Sequence, residues 1–389
     1  MESRRPLIPY NRHFVDASDA RAITDVLKKG WLSQGPKVQE FENQFAEKAG
    51  ARYAVAVSSG TAALHLCGLV AGLGHGDEAI TTPMTFVATA NAALYCGARP
   101  VFADVRRDTL NLDMDLAARK VTRKTKAVLP VDFAGYPCPT KAHYKYFKKN
   151  GVTVIRDACH SLGGSYAGGP VGDCRFADLT VFSFHPIKSI TTGEGGMITT
   201  NDKRFYEALL RLRNHGLERD PSCLTRNEGP WFYEMLTLGF NYRLTDLQCA
   251  LGLSQLKKLD GFIKKRKSIA AFYLKQLKTA AFVQIPQAGI VDYLDNSSHH
   301  LFIVRLRRGG LRRKPVVEAL RALGIGTQVH YIPVHRHPFY EKLGFKKGLC
   351  PVAETEYEKI LSLPLYYEMS LADAKTVIDG LGRVCGGEV

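Results

Sequence analysis

The chain of 389 residues contains no C-x-x-C pair, although it has nine cysteines. An odd number without paired spacing argues against a disulfide scaffold or a zinc site, and free thiols in a reducing cytosol are the more economical reading. Arg4 and Arg5 are not followed by an apolar h-region, so no secretory signal is expected. Neither a G-x-G-x-x-G nor a G-x-x-x-x-G-K-[ST] pattern stands at a strand-to-helix turn, which argues against dinucleotide and P-loop binding. No repeat of 20–50 residues and no low-complexity tract is visible.

Two stretches lack Asp, Glu, Lys and Arg, Tyr53 to Gly76 and Ala79 to Ala98. Either is long enough for a membrane span. The first, however, holds Ser58, Ser59, Thr61 and His65, and the second holds Pro83 among threonines. Buried parallel strands with their packed helices explain both better, and no membrane partner is expected.

The net charge of +16 is concentrated: 14 Lys or Arg and three Asp or Glu lie between Lys257 and Lys314. Such a cluster could neutralise a nucleic-acid backbone. No recognition motif accompanies it, and Lys264, Lys265, Arg266 and Lys267 fit the solvated face of a helix. A surface that attracts anionic small molecules is the better reading, without nucleic acid.

A regular alternation of apolar runs and helical patterns fills the first two thirds. Strands are expected at Tyr53–Val57, Glu78–Thr82, Pro100–Asp104, Ala127–Asp132, Val152–Asp157, Leu179–Phe184 and Met197–Thr200. These make about seven strands, a large sheet wrapped by helices. Ligands bind beyond the strand ends of such sheets. Gly216 to Gly239 is read as a long irregular connection, and Arg243 to Leu277 as mostly helical. A strand at Leu301–Leu306, a helix at Lys314–Leu323, a strand at Thr327–Tyr331 and terminal helices then imply a smaller α+β domain. The expected boundary is near Leu256, with residues 1–256 as arm and large domain and 257–389 as small domain.

The chemistry gathers at strand ends. Lys188 follows a buried strand, between Ser183 and the turn Gly193 to Gly196. Lysines beside strands are ordinarily solvated. One held out of water loses its proton more easily than the usual ~10.4, as a Schiff-base lysine requires. Ser58-Ser59-Gly60-Thr61 ends a strand and opens a helix, either an anion cradle of free N–H groups or a plain capped turn. Asp157 closes an apolar strand, where a carboxylate is costly without a partner. Its role is either a cap or ion pair, or a contact to a protonated ring nitrogen of a cofactor. Phe86 is read either as a core residue or as a platform for a flat ring. Asn241 could cap the following helix or donate to a phosphate. His330, His335 and His337 match no metal spacing and have no adjacent acidic ligand, so no metal is expected.

The motifs 58-SSGTAALHL-66, 81-TTPMTFVATANA-92, 157-DACHSLG-163, 182-FSFHPIKSITTGEGGMITTND-202, 239-GFNYRLTDLQCALGLSQL-256 and 330-HYIPVH-335 stand in order along nearly the whole chain. Together they resemble the fold-type-I sugar-nucleotide aminotransferases of the DegT/DnrJ type, which depend on pyridoxal 5'-phosphate (PLP). With 9-PYNR-12, they look most like the aminotransferases of the pseudaminic acid pathway. The resemblance implies an α/β fold-type-I transferase with a large mixed seven-stranded sheet domain and a smaller α+β C-terminal domain. It implies that Lys188 forms the Schiff base and moves the proton, that Asp157 keeps the pyridine nitrogen protonated, and that His160 lies near the 3-hydroxyl. Phe86 would cover the ring, and Gly60, Thr61 and Ser183 would hold the phosphate, joined by Asn241 from a partner subunit in a homodimer. Tyr10, Gly30, Trp31, Leu32, Ser33, His330, Tyr331, Ile332 and Pro333 match positions that hold the nucleotide sugar.

The implied reaction takes an amino group from L-glutamate to C4 of a UDP-linked 2-acetamido-2,6-dideoxy-hexos-4-ulose. Within the family the rivals are a different UDP sugar, or C3 of a dTDP sugar. Relatives with histidine in place of the lysine are dehydrases, a branch that Lys188 argues against. The rival from another class is a non-catalytic basic regulator or nucleic-acid binder, which the intact Lys188, Asp157 and Ser183 set disfavours.

Overall fold

The computed structural model describes residues 7–307 and 312–386. Helices α1 (Ala17–Lys29) and α2 (Pro36–Ala49) lead into β1 (Tyr53–Val57). Then follow α3 (Gly60–Val70), β2 (Glu78–Thr81), α4 (Val87–Tyr95), β3 (Arg99–Phe102), α5 (Met114–Arg119), β4 (Thr125–Leu129), α6 (Lys141–Lys149) and β5 (Thr153–Asp157). A small hairpin, β6 (Ser165–Tyr166) and β7 (Gly169–Pro170), precedes β8 (Leu179–Ser183), β9 (Gly196–Thr200) and α7 (Lys203–Leu212).

The main sheet has seven strands in the order β1-β9-β8-β5-β4-β2-β3. Strand β9 runs antiparallel to both β1 and β8, and the pairings from β8 to β3 are parallel. The expected mixed seven-stranded sheet is therefore present. Helices cover both faces, so successive side chains of one strand enter different cores. Along β8, Phe182 joins Phe41, Phe45 and Phe184, while Leu179 and Val181 join Leu64, Leu66 and Ile198.

The uncharged stretches 53–76 and 79–98 are strand-plus-helix units of this sheet, and no described helix is long and apolar enough to cross a membrane. The connection 213–245 carries only the two-residue strands β10 (Leu217–Glu218) and β11 (Glu234–Met235). The helical region after it divides at Lys257 and Lys258 into α8 (Asp246–Leu256) and α9 (Leu259–Leu277). Helix α9 starts in the large core with Leu259 and Phe262 and ends in a second core with Ile269, Tyr273 and Leu277.

That second core belongs to a three-stranded antiparallel sheet, β12 (Val283–Gln284), β13 (Phe302–Leu306) and β14 (Ile360–Leu363). Helices α10 (Tyr293–Asn296), α11 (Arg313–Ala322), α12 (Pro338–Lys342), α13 (Pro351–Tyr357) and α14 (Leu371–Gly386) complete this part. The N-terminal arm crosses to it, with Ile8 N–H donating to Gly324 O at 2.9 Å and Leu365 N–H to Tyr10 O at 3.1 Å.

The strand expected at Thr327–Tyr331 does not form. Gln328 pairs with Ser362 in a single bridge, and the chain then leaves the edge of β14. Tyr331 N–H donates to Met84 Sδ at 3.4 Å and Val334 N–H to Pro83 O at 2.9 Å. Docking on the loop before α4 replaces a sheet ladder there. Strands β12 and β14 were not legible, because their runs of apolar residues are too short to show a period.

One buried knot ties α2, β1 and α7 together. Glu42 accepts from Ala56 N–H at 2.8 Å and from the Arg213 guanidinium, which also donates to Ala56 O at 2.7 Å. Removing one member of a buried pair leaves an uncompensated charge, at a cost of about 3–5 kcal/mol. Glu42→Ala is expected to lower the free energy of unfolding by that amount. The double change of Glu42 and Arg213 to Met is expected to lose much less, as equilibrium denaturation would measure.

Candidate active site

Strands β5 and β8 end side by side, at Asp157 and Ser183, opposite the first turns of α3 and α4. A cavity of about 470 Å³ opens there, lined by Gly60, Thr61, Phe86, Asp157, Ser183 and Lys188 among others. This is the place expected of a ligand crevice in such a sheet.

The floor depends on close backbone approach. A Cβ on Gly60 would lie 3.0 Å from Ser183 Cβ, and one on Gly196 would lie 2.5 Å from Ser59 O. Hydrogen at both positions lets α3 start directly against β8 and β9. Ser59 caps this helix by accepting from Ala62 N–H at 3.0 Å. The N–H groups of Gly60 and Thr61 have no acceptor among the described residues. With the helix dipole they form a ready anion cradle.

Lys188 stands in the turn after β8, its N–H donating to His185 O at 2.9 Å. The loop is closed by Thr192 N–H and Thr191 Oγ1, both donating to Phe184 O at 3.0 Å. Burial pushes the Lys188 amine below its ordinary value, against the pull of nearby Asp157. Asp157 is 5% exposed and forms no ion pair with Lys or Arg among the described residues. Its Oδ2 accepts from Thr89 Oγ1 at 2.7 Å and its Oδ1 from Cys159 N–H at 3.1 Å. A buried carboxylate that faces a cavity without a protein cation is suited to a cationic ligand atom.

His160 is buried, with Nε2 hydrogen-bonded to the Tyr331 hydroxyl at 3.0 Å. The His300 ring lies 4.4 Å from it, centre to centre, and His330 Nδ1 is bonded to Ser362 Oγ at 2.7 Å. Burial, reinforced by the charge of Lys188, holds all three imidazoles neutral. His160 and His300 lie well below the usual range and His330 is pushed down to about 3. Phe86 caps α4 at the cavity wall, 59% exposed and 6.4 Å from the Tyr331 ring.

The structure thus brings together Gly60, Thr61, Phe86, Asp157, His160, Ser183, Lys188, His330 and Tyr331. Tyr10 stands behind them, its ring 5.8 Å from that of His330. Ile332, Pro333, Gly30, Trp31, Leu32, Ser33 and Asn241 do not line the cavity of their own chain. The loop 30–35 is bound to the segment that follows Asn241, through Asp246 N–H to Ser33 O at 2.8 Å and Gln34 Nε2 to Leu244 O at 2.9 Å. Sequence reasoning overlooked Thr85, Thr89, Cys159, His185 and Glu194, which also line the cavity. Spacing of four between Thr85 and Thr89 at a helix start was the one signal available for that pair.

The comparisons decide the family. The profile of the DegT/DnrJ/EryC1/StrS aminotransferase family matches residues 14–382. The chain belongs to this family. It is 40% identical to the spore coat polysaccharide biosynthesis protein SpsC of Bacillus subtilis, over all of this chain and 99% of that one. Among solved structures, it is similar to Helicobacter pylori PseC, described as an aminotransferase involved in the biosynthesis of pseudoaminic acid. That likeness has a TM-score of 0.91 at 32% identity and covers 98% of this chain and 100% of the other. The PLP form of the putative sugar aminotransferase Spr1654 from Streptococcus pneumoniae gives 0.88 at 29% identity, over 98% and 99%.

Members of the family are PLP-dependent aminotransferases of fold type I, and so is this enzyme. The site fits the cofactor on its own features. Gly60 leaves open a cradle of free N–H groups for a phosphate. Asp157 lacks a cation that a protonated ring nitrogen would supply, and Lys188 is a desolvated amine in the same cavity.

The neutral histidines carry a cost at low pH. Their folded pKa values lie below the unfolded ~6.5, so the unfolded chain takes up protons first as pH falls. Stability should therefore decline below pH ~6.5 and go on declining toward the folded value, for His330 about 3. The expected slope is about 1.4 kcal/mol per pH unit for each such histidine. Thermal denaturation between pH 7.5 and 5 should show the loss, with a shallower slope in His330→Gln.

Proposed function

We propose that the enzyme transfers an amino group from L-glutamate to C4 of a UDP-linked 2-acetamido-2,6-dideoxy-hexos-4-ulose. The observation that carries this substrate is the likeness to PseC over 98% of the chain, with a TM-score of 0.91. The order of motifs from Pro9 to His335 supports the same pathway type.

In this reading Gly60, Thr61 and Ser183 hold the phosphate of PLP, Phe86 covers the ring and Asp157 bonds the ring nitrogen. Bound PLP supplies the electron sink that stabilises a carbanion at the substrate carbon. Lys188 Nζ, desolvated and so readily neutral, is placed to take the proton from that carbon and return it on the other side of the exchange. His160, kept neutral and anchored by Tyr331, can accept or donate one hydrogen bond near the 3-hydroxyl without adding charge. Donor and acceptor enter the same cavity in turn, a dicarboxylate and then a nucleotide diphosphate. Free N–H groups and a basic surface suit both.

A homodimer with shared sites belongs to the same proposal. Trp31, Trp231, Met235 and Leu238 are 63–75% exposed, large apolar side chains of the kind that subunit interfaces bury. A second copy packed there would bring its Asn241 and its Gly30-Trp31-Leu32-Ser33 loop toward this cavity, while Tyr10 and His330 to Pro333 contribute from within the chain. Cys67, Cys96, Cys138, Cys159, Cys174, Cys223, Cys249 and Cys350 are free thiols, in keeping with a cytoplasmic setting.

The full-length identity to SpsC favours a second reading, in which the acceptor is another keto sugar nucleotide. Incubation with glutamate and a panel of UDP- and dTDP-linked 4-keto sugars, followed by NMR of the product, separates the two. Amination at C4 of the UDP N-acetyl sugar is expected, and exclusive turnover of a dTDP sugar would refute it. The purified protein should be yellow, and borohydride should fix the cofactor on Lys188. Lys188→Ala should lower turnover by roughly 10²–10⁴ or more.

A further inference from the structure

Asp157 is held by more than its own strand. Thr89 Oγ1 lies 2.7 Å from Asp157 Oδ2, and Thr85 Oγ1 lies 2.8 Å from Thr89 Oγ1. All three residues are at most 5% exposed. An ionised carboxylate only accepts, so Thr89 must donate to it. The single hydroxyl proton of Thr89 is then committed, and Thr85 must donate to Thr89. The direction of both bonds is fixed by the charge at the end of the chain.

We infer that Thr89, oriented by Thr85, is a positioning residue that holds the Asp157 carboxylate aimed at the cofactor's ring nitrogen. This rests on the reading above, in which Asp157 is the partner of that nitrogen. Three observations carry the inference. Asp157 has no ion-pair partner among the described residues, so hydrogen bonds are its direct contacts. Its other oxygen, Oδ1, is bonded by Cys159 N–H at 3.1 Å. Two donors, one to each oxygen, therefore fix the plane of the carboxylate. Finally, Thr89 stands one turn after Phe86 on α4, its N–H donating to Phe86 O at 3.3 Å. The element that presents the ring-covering aromatic thus also sets the carboxylate, and ring plane and ring nitrogen are registered by one helix start.

The loss of one hydrogen bond to a charged group predicts a definite change. Thr89→Val keeps the shape and removes the donor. The holoenzyme should bind PLP about tenfold more weakly. The ¹⁵N chemical shift of bound ¹⁵N-labelled PLP should move toward that of an unprotonated pyridine. Thr89→Ser should restore both, and Thr85→Val should move both in the same direction by a smaller factor of about two to three. Asp157→Asn is the reference for complete loss of the ring-nitrogen contact.

An unchanged ¹⁵N shift in Thr89→Val, alongside a large change in Asp157→Asn, overturns the inference and leaves the proposed role of Asp157 standing. An unchanged shift in Asp157→Asn overturns that role itself. Equal loss in Thr89→Val and Thr89→Ser would mark Thr89 as packing only and would also overturn the inference. If Thr89→Val does not fold, the comparison of Thr85→Val with wild type decides by the same shift.

Discussion

A carboxylate buried without an ion-pair partner is the constraint on which the rest of this structure depends. Asp157 closes β5, a strand interior to the main sheet, where burying an ionised group is unfavourable unless hydrogen bonds compensate it. Compensation comes from two sides, the backbone N–H two residues ahead and the hydroxyl of Thr89 on α4. Each oxygen thus has a donor, and a cationic ligand atom in the cavity would complete the charge balance.

The other groups around the cavity follow from the same balance. Lys188 is desolvated, so its charge is weakened. His160, His300 and His330 are neutral for the same reason. With side-chain charge suppressed on that side, the fixed dipole of α3 and its free N–H groups are left to attract an anion. Hydrogen in place of a side chain at Gly60 and Gly196 permits this, because a methyl group at either position would strike Ser183 or Ser59. The site thus combines an anion-attracting end with a cation-attracting end, and a neutral imidazole wall lies beside them.

Much of the part built on the seven-stranded sheet was legible because buried strands and amphipathic helices leave a record in the sequence. The seven strands of the sheet were recovered within two or three residues of their ends, since short apolar runs bounded by turn residues mark strands buried on both faces. Residues that end such strands, Asp157 and Ser183, were legible as polar intrusions at fixed places. Lys188, Gly60 and Thr61 were readable by the same logic. The strand read at Thr327–Tyr331 failed because its residues serve the cavity and the loop at Pro83, a tertiary demand with no local signature. Thr85 and Thr89 passed as ordinary helix-start threonines, since only proximity to a carboxylate 68 residues away distinguishes them.

By itself the sequence determined the α/β class, the order of the elements and the chemical types at each strand end. Hydrophobic period and turn residues are local properties, and they survive without any knowledge of the fold. Tertiary structure alone decided which polar groups meet. It placed Thr89 on Asp157, put Tyr331 on His160, and left Trp31, Ser33 and Asn241 outside the cavity of their own chain. Those outcomes depend on packing between segments far apart in sequence, where distance and desolvation set hydrogen bonds and charge states.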